Sequence, residues 1–485
     1  MYLGVDIGSS FIKVAILDTG RSQVRNVTKV ETPAFLPAPN PLYREISPEQ
    51  TLAAVRTLID SYLERSDRGD LEDHEHRIEG ILFSTQMHGF LLMDESGNAV
   101  CNYVTWQDER ATEPLREADS PAGSALPRQQ SATDCVRELL DDDDVRRSGM
   151  PVKPSLATCT LYHWRHNEGA RLGVKTPLWF CTIGDYVIAA LAQQRPRAHI
   201  TNAAATGLVD LETGDWSSTV ARKLGFDFLR FPDLAQDNEP CGFYQAGTRR
   251  IALYPSFADH QSSMFGAHLE PEADLAINMG TGSQICVVSN TRTHGEYETR
   301  PFFDGCYLRA IPHIPAGRSL NLLAEFIQDT AATVCGTKVS KSAVWERIQP
   351  LIAEAAAVQD APPETEQTAE PQLDVNISYF RTSAVPQDGA IRNIRERNLT
   401  LGNLFLAAFR DMARNYEQLH RRLTIHGTSI ERIVCTGGLA ERHPVLRRCI
   451  EARFGLPCTE VPYAGDALAG LLRLAHRMEQ REARR

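Results

Sequence analysis

The hydrophobic pattern changes period several times along the amino-terminal third of the chain. "YLGVD" (Tyr2–Asp6) is a short apolar run, and "FIKVAILD" (Phe11–Asp18) is β-branched and mostly apolar, so both are predicted as strands. "VRNVTKVE" (Val24–Glu31) alternates like a third strand. In "SPEQTLAAVRTLIDSYL" (Ser47–Leu63) the period becomes helical, with Leu52, Val55, Ile59 and Tyr62 recurring on one face. Ser47 is placed as N-cap, Pro48 sits in the first turn, and Gln50 completes a capping box. "IEGILFS" (Ile78–Ser84) returns to a buried strand.

The second half repeats the opening. "LAINMGTGSQICVVSN" (Leu275–Asn290) aligns with "LGVDIGSSFIKVAILD" (Leu3–Asp18), so that Gly280 falls on Gly8 and Asn278 on Asp6. A strand at "CYLRAI", a helix near Ser319 to Val334 and a long amphipathic helix over about Leu401 to Ile425 follow. Then come the strand "RIVCTGG" and the helices "PVLRRCIEARFG" and "AGDALAGLLRLAHRM". Three strands, a helix and a strand is how a ribonuclease H-like lobe begins, and here the device occurs twice. Connecting elements are expected around Pro232 to Tyr254, and an exposed insertion over Ala353–Gln372, which is rich in Pro, Ala and Glu.

Length and composition narrow the function. The 485 residues exceed one core, which points to two lobes. A net charge of −11 with no basic cluster argues against nucleic acid as partner. No segment has the run of uncharged residues that a bilayer span requires, and no basic-then-apolar leader is visible, so no membrane partner is expected. Eleven scattered cysteines without a C-x-x-C pair suit reduced thiols in cytoplasm, and the fourteen histidines offer no zinc spacing. The run Asp141 to Asp144 is expected to be a solvated loop rather than a cation site.

The candidate chemistry lies where strands end. Asp6 closes the first strand against a turn in which Gly8 allows positive φ and Ser9 and Ser10 bring donors. An acid beside a ring of donors suits a ligand that carries both cation and anion, such as magnesium-bound phosphate. Gln86 and His88 sit at the break of "STQMHGFLLMDESGNAV", at the mouth of a strand. "TWQDERA" gathers Trp106, Gln107, Asp108 and Arg110: an indole to lie on a sugar's C–H face, with amide and carboxylate for hydroxyls. The bland alternatives are a core Trp106 and a helix-capping Asp108. In "PSFADHQSSMFGA", Asp259 stands at a strand-to-helix junction, and the small residues after Ser262 allow close packing. Phosphoryl transfer asks little more of a base than a late proton acceptance and an oriented hydroxyl. "VCTGGLAERHPVL" brings Gly437 and Gly438 to a strand end without a G-x-G-x-x-G pattern, so a Rossmann site is not supported.

Together these motifs resemble the FGGY carbohydrate kinases of the actin-like ATPase superfamily, in order and over nearly the whole length. "DIGSS" with Lys13 resembles the first phosphate loop, "GTGS" the second, "QMHG" and "WQDER" the sugar segments, "ADHQ" the catalytic segment and "TGGLAE" the adenosine segment. The resemblance implies two α/β lobes of ribonuclease H type, residues 1–247 and 248–485, with an ATP and sugar cleft between them. It implies Asp259 as base, Asp6 as a magnesium ligand, and Gly8, Ser9, Ser10, Lys13, Gly280 and Thr281 on the phosphates. Gly437 and Gly438 would lie beside the adenosine, with Gln86, Met87, His88, Trp106, Asp108 and His260 lining the sugar pocket. "QMHG" is similar to the ketose kinases, and "TWQD" with "GRSLN" (Gly317 to Asn321) to the sedoheptulokinases before the xylulokinases.

The expectation is therefore an ATP- and magnesium-dependent kinase of a small ketose, sedoheptulose first and D-xylulose second. A homodimer is left open. Three departures from the family pattern bear on the substrate. They are Ala258 where Gly is usual, His260 where Asn or Gln is usual, and "YFRTSAVP" (Tyr379–Pro386) where a Gly-Glu-Arg-His-like loop is usual. If a positive φ were required at Ala258 it would be strained. The competing classes are a sugar-sensing regulator, an inactive paralogue and a chaperone-like ATPase. A regulator is expected to carry a helix-turn-helix extension, an inactive paralogue to have lost Asp6 or Asp259, and a chaperone to add a peptide-binding domain.

Overall fold

The opening apolar runs pair as antiparallel strands β1 (Tyr2–Ile7) and β2 (Phe11–Asp18) in the computed structural model, followed by β3 (Gln23–Glu31). The structure describes residues 1–38, 40–68, 78–115, 130–168, 177–360, 372–382, 384–424, 429–459 and 466–482. They divide into two compact units. The first comprises Met1–His268, Glu298–Tyr307 and Asp466–Arg485, the second Leu269–Tyr297 and Leu308–Gly465.

In the first unit, helix α1 (Pro48–Arg68) begins where expected. The Gln50 amide donates to Ser47 Oγ at 3.1 Å, while Ser47 Oγ itself donates to Glu49, so Ser47 caps the helix with Glu49 rather than Gln50 as its side-chain partner. Strand β4 (Gly80–Thr85) is buried throughout and lies parallel to β1. Strands β5 (Gly242–Ala246) and β6 (Arg249–Ala258) complete a six-stranded sheet in the order β5-β6-β4-β1-β2-β3. The expected boundary at 247/248 falls inside the β5–β6 hairpin. Because β6 is hydrogen-bonded in parallel to β4, it and the following helix α2 (Asp259–Gly266) belong to the first unit.

The second unit repeats the order. Strands β7 (Asp274–Met279) and β8 (Ser283–Ser289) are antiparallel, β9 (Tyr307–Ile314) follows, and β10 (Arg432–Thr436) pairs in parallel with both β7 and β11 (Cys458–Thr459). Its strands run β9-β8-β7-β10-β11, matching β3-β2-β1-β4-β6. Helices α3 (Gly317–Cys335), α4 (Lys341–Asp360), α5 (Leu401–Leu423) and α6 (Pro444–Phe454) accompany them, and Phe405, Phe409, Met412 and Tyr416 of α5 are buried in the core with Ile277, Ile285 and Ile433. Residues 353–360, expected in an exposed insertion, form the end of α4; the rest of that segment, apart from Gln372, lies outside the described residues.

Two further expectations are corrected. The helix Ala467–Glu482, assigned by position to the second half, returns to the first unit, where Leu468, Leu471, Leu474 and Met478 are buried with Tyr2, Leu17, Leu82 and Phe265. The Asp141 to Asp144 run is not a loop. Asp141 caps the helix Asp142–Ser148 through a capping box with Asp144, and Lys223 pairs with both of these carboxylates. Acids in a first helical turn are stabilised by the helix dipole, which explains the run without a metal. No described helix is long and apolar enough to cross a membrane.

Candidate active site

Register builds the site. Ile7 of β1, Thr85 of β4 and Ala258 of β6 stand abreast at the carboxyl ends of three adjacent parallel strands. Asp6 precedes that line, and Gln86 and Asp259 follow it. Ligands of α/β sheets bind outside strand carboxyl ends, where side chains leave the ladder. Beneath the line, Asn202 Nδ2 donates to Thr85 Oγ1 and to Ser256 Oγ at 3.0 and 2.9 Å, and the Ala258 amide donates to Thr201 Oγ1 at 3.1 Å. These ties fix the strand ends, and their side chains carry no signal that sequence reading could have used.

Ala258 has φ −66° and ψ 134°, an ordinary extended conformation, so replacing the usual glycine introduces no strain. Asp259 opens α2, and its Oδ1 accepts from the His260 amide at 2.7 Å. Its Oδ2 makes no side-chain hydrogen bond among the described residues. Burial first, and the charge of Asp6 second, push this carboxyl up to about 7. Asp6 is also raised, by burial against the partly offsetting Lys13, whose Nζ lies 3.2 Å from Asp6 Oδ2 and 3.7 Å from Asp466 Oδ1. Asp466, at the start of the last helix, escaped sequence reading because nearly the whole chain separates it from Lys13.

The first turn differs from expectation in its backbone. Gly8 is not at positive φ. Its amide donates to Phe11 O at 3.1 Å and its carbonyl accepts from Thr32 Oγ1 at 2.8 Å. Ser9 and Ser10 are exposed. Trp106 is half-buried, not core, and its indole N–H donates to Ser9 Oγ at 2.8 Å, while Ser9 Oγ lies 3.5 Å from Gln86 Oε1. One serine thus joins the phosphate turn to two sugar-side candidates.

Asp108 does not line that side. It is 0% exposed, and its two oxygens accept from Arg110 Nε and Nη2, both at 2.8 Å, and from the Arg44 and Arg110 amides. Arg110, equally buried, also reaches Glu168 and Glu45 and lies over the Tyr43 ring. A carboxylate so saturated has no lone pair to offer a ligand. Asp108 holds the Trp106 segment in place.

His88 adopts φ 66° and its Nδ1 lies 2.7 Å from Ala205 O. Met87 packs with Ala205 and Ala258. Arg300 Nη1 donates to His260 Nδ1 at 2.8 Å and lies 4.0 Å from Met87 Sδ. Glu298 accepts from Arg300 Nε at 2.8 Å and from Lys153 Nζ at 2.6 Å. Burial would raise Glu298, but Arg300 and Lys153 outweigh it and hold the carboxyl well below its usual range. Burial, then Lys153 and Arg300, hold His88 neutral; burial and Arg300 do the same for His260. Sequence reading missed all three charged residues, which carry no motif.

In the second unit, the Gly317 and Arg318 amides donate to Gly280 O and Thr281 O at 3.2 and 2.7 Å, so "GRSLN" starts a helix on the "GTG" turn. Arg318 stacks 3.8 Å over Phe380, seating the "YFRTSAVP" segment on that same helix. Gly437 has φ +90°, and a Cβ there would meet Met279 O at 2.5 Å, so only glycine fits. Gly438 begins the helix Gly438–Arg442.

Residues 1–252, over half the chain, match the FGGY family of carbohydrate kinases, N-terminal domain. Sedoheptulokinase of Mus musculus is 22% identical, covering 94% of this chain and 93% of its own. Xylulose kinase from Rhodospirillum rubrum superposes with TM-score 0.76 at 18% identity over 97% of this chain and 88% of that one. Plasmodium falciparum glycerol kinase, solved with ADP, gives 0.75 at 14% over 99% and 89%. The paired sheets are the two-lobe actin-like ATPase fold, and the chain belongs to the FGGY family of carbohydrate kinases, phosphotransferases that take a hydroxyl as acceptor.

Proposed function

We propose that this kinase phosphorylates a ketose, with sedoheptulose as substrate and D-xylulose as the nearest alternative. The observation that carries this reading is the gathering of Gln86, Met87 and His88 with His260 near an Asp259 carboxyl whose Oδ2 makes no side-chain hydrogen bond among the described residues. Likeness to a sedoheptulokinase along nearly the whole chain supports the seven-carbon sugar over the pentulose.

Asp259 orients the accepting hydroxyl and takes its proton as the oxygen bonds to the γ-phosphorus of ATP; the bond to the β-bridging oxygen breaks, and ADP leaves. A carboxyl near 7 is basic enough to hold that proton and is still largely ionised above neutrality. Ser9, Ser10 and Lys13 are proposed on the phosphates in the first unit. Gly280, Thr281, Gly437 and Gly438 are proposed as nucleotide contacts in the second. Asp6 fits magnesium: its buried Oδ1 has no hydrogen-bond partner among the described residues. Magnesium is commonly held by one or two carboxylates with the remaining positions on phosphate and water. When bound, the ion would neutralise charge on the phosphates.

A coupled ADP-release assay over ketoses, aldoses and polyols tests this reading. Sedoheptulose or D-xylulose should raise ADP release well above the sugar-free rate. Turnover confined to an aldose, a polyol or glycerol would sink the ketose reading.

A further inference from the structure

In the second unit β10 and β11 are parallel neighbours, with Ile433 beside Cys458 and Val434 beside Thr459. Side chains alternate along a strand, so Cys435, two residues past Ile433, shares the face of the sheet that Cys458 occupies. The pairing brings together two thiols that lie 23 positions apart in the chain, and Cys435 Sγ donates to Cys458 Sγ at 3.0 Å. The two are not equivalent. Cys435 is 9% exposed, in a strand paired on both sides. Cys458 is half-buried and opens a two-residue strand at the edge of the sheet. The hydrogen bond from Cys435 holds the Cys458 thiol below its ordinary range against the opposing effect of burial. The same bond, with burial, pushes Cys435 up. One partly exposed thiol therefore ionises first, and a buried one beside it keeps its proton. A nucleophile and its resolving partner divide the work in this way.

We propose that Cys435 and Cys458 are a redox-active dithiol, a modification site that a hydroperoxide closes to a disulfide and a thiol reductant reopens. The Cys458 thiolate attacks one peroxide oxygen; the O–O bond breaks, hydroxide leaves, and Cys458 becomes a sulfenic acid. Cys435 then attacks that sulfur. The S–O bond breaks as the S–S bond forms, and the oxygen leaves as water with the Cys435 proton. The proton lost earlier by Cys458 joins the hydroxide. Two thiols have given up two electrons, and the peroxide has become two waters. Closing the bond asks for a shift of about 1 Å. β11 is the strand free to make it. Five residue pairs hold β10 to β7, whereas two hold β11 to β10. The turn at Gly437 stays where Met279 O confines it. The disulfide joins the two ends of the segment that carries Gly437, the helix Gly438–Arg442 and α6. Loop closure removes freedom from the opened forms of that segment, so oxidation staples it rather than switching the enzyme off.

The test uses the reduced full-length protein, treated with hydrogen peroxide, alkylated and mapped by mass spectrometry. A peptide joining Cys435 to Cys458 should form at least about tenfold faster than exposed Cys335 is oxidised, and dithiothreitol should reverse it. Cys435→Ser should leave Cys458 as a sulfenic acid that dimedone traps, and Cys458→Ser should give neither cross-link nor adduct at Cys435. In the oxidised protein, hydrogen exchange within Pro444–Phe454 should slow roughly tenfold, while ADP affinity by calorimetry stays within about threefold. A cross-link to Cys449 instead, or oxidation of Cys335 with Cys435 and Cys458 still free, overturns the dithiol. A faster exchange or a larger loss of ADP affinity overturns the staple. The wild-type peptide map decides the dithiol even if a serine variant fails to fold.

Discussion

At the scale of single residues, the two carboxylates at the strand ends should separate by experiment. Asp259→Asn keeps the shape but cannot take a proton, so kcat should fall by ~10²–10⁴ with ATP affinity within about threefold. Asp6→Asn should also slow turnover, but its defect should shrink as magnesium is raised, whereas that of Asp259→Asn should not. The raised carboxyl adds two pH effects. The base must be ionised, so kcat/KM should climb with pH and level off above about 7. For stability the sign is the reverse. A carboxyl raised in the folded state favours folding while it is protonated and loses that advantage as pH rises from the unfolded value near 4 through about 7. Asp259→Asn should therefore melt higher than wild type at pH 8, with the difference closing toward pH 4. Equal melting temperatures at pH 8 would show that the carboxyl is not raised.

At the scale of elements, α2 sets where Asp259 stands, and the helix Ala467–Glu482 sets where α2 stands. The two cross with Gly266 and Gly470 in contact: a Cβ on Gly266 would meet the Gly470 amide at 2.7 Å, and one on Gly470 would run into Ser262 O. Gly470→Ala should push the helices apart, lowering kcat more than it raises the ATP KM, since the displaced group is the base. Leu471→Ala, at a fully buried position on the same helix, should cost ~2–5 kcal/mol, measured by chemical denaturation. The small residues after Ser262 announced close packing in the sequence. Their partner could not be named there, because a helix pattern does not say which sheet it will cover.

At the scale of the whole molecule, one sheet order is used twice, and the chain crosses from the first unit to the second and back two times. Removing residues 466–485 should therefore expose the first unit's apolar surface at Tyr2, Leu17, Leu82 and Phe265, seen as dye binding and early proteolysis there, while the second unit's core keeps its protection. Local pattern determined much of this protein. Alternating and helical periods placed β1 to β4, α1 and α5 within a few residues, and the strand-end positions of Asp6, Gln86, His88 and Asp259 were legible because glycine, serine and acid cluster where apolar runs stop. Tertiary structure decided the rest. Asp108 and Trp106 both read as sugar-binding candidates in the sequence, but burial saturated one with Arg110 and left the other half-exposed beside Ser9. Lys153, Glu298, Arg300 and Asp466 reached the site only through folding, since an ion pair between distant residues leaves no period or motif along the chain. The protonation of Asp259 belongs to the same category: it depends on solvent removed and charges brought near, which linear order does not contain.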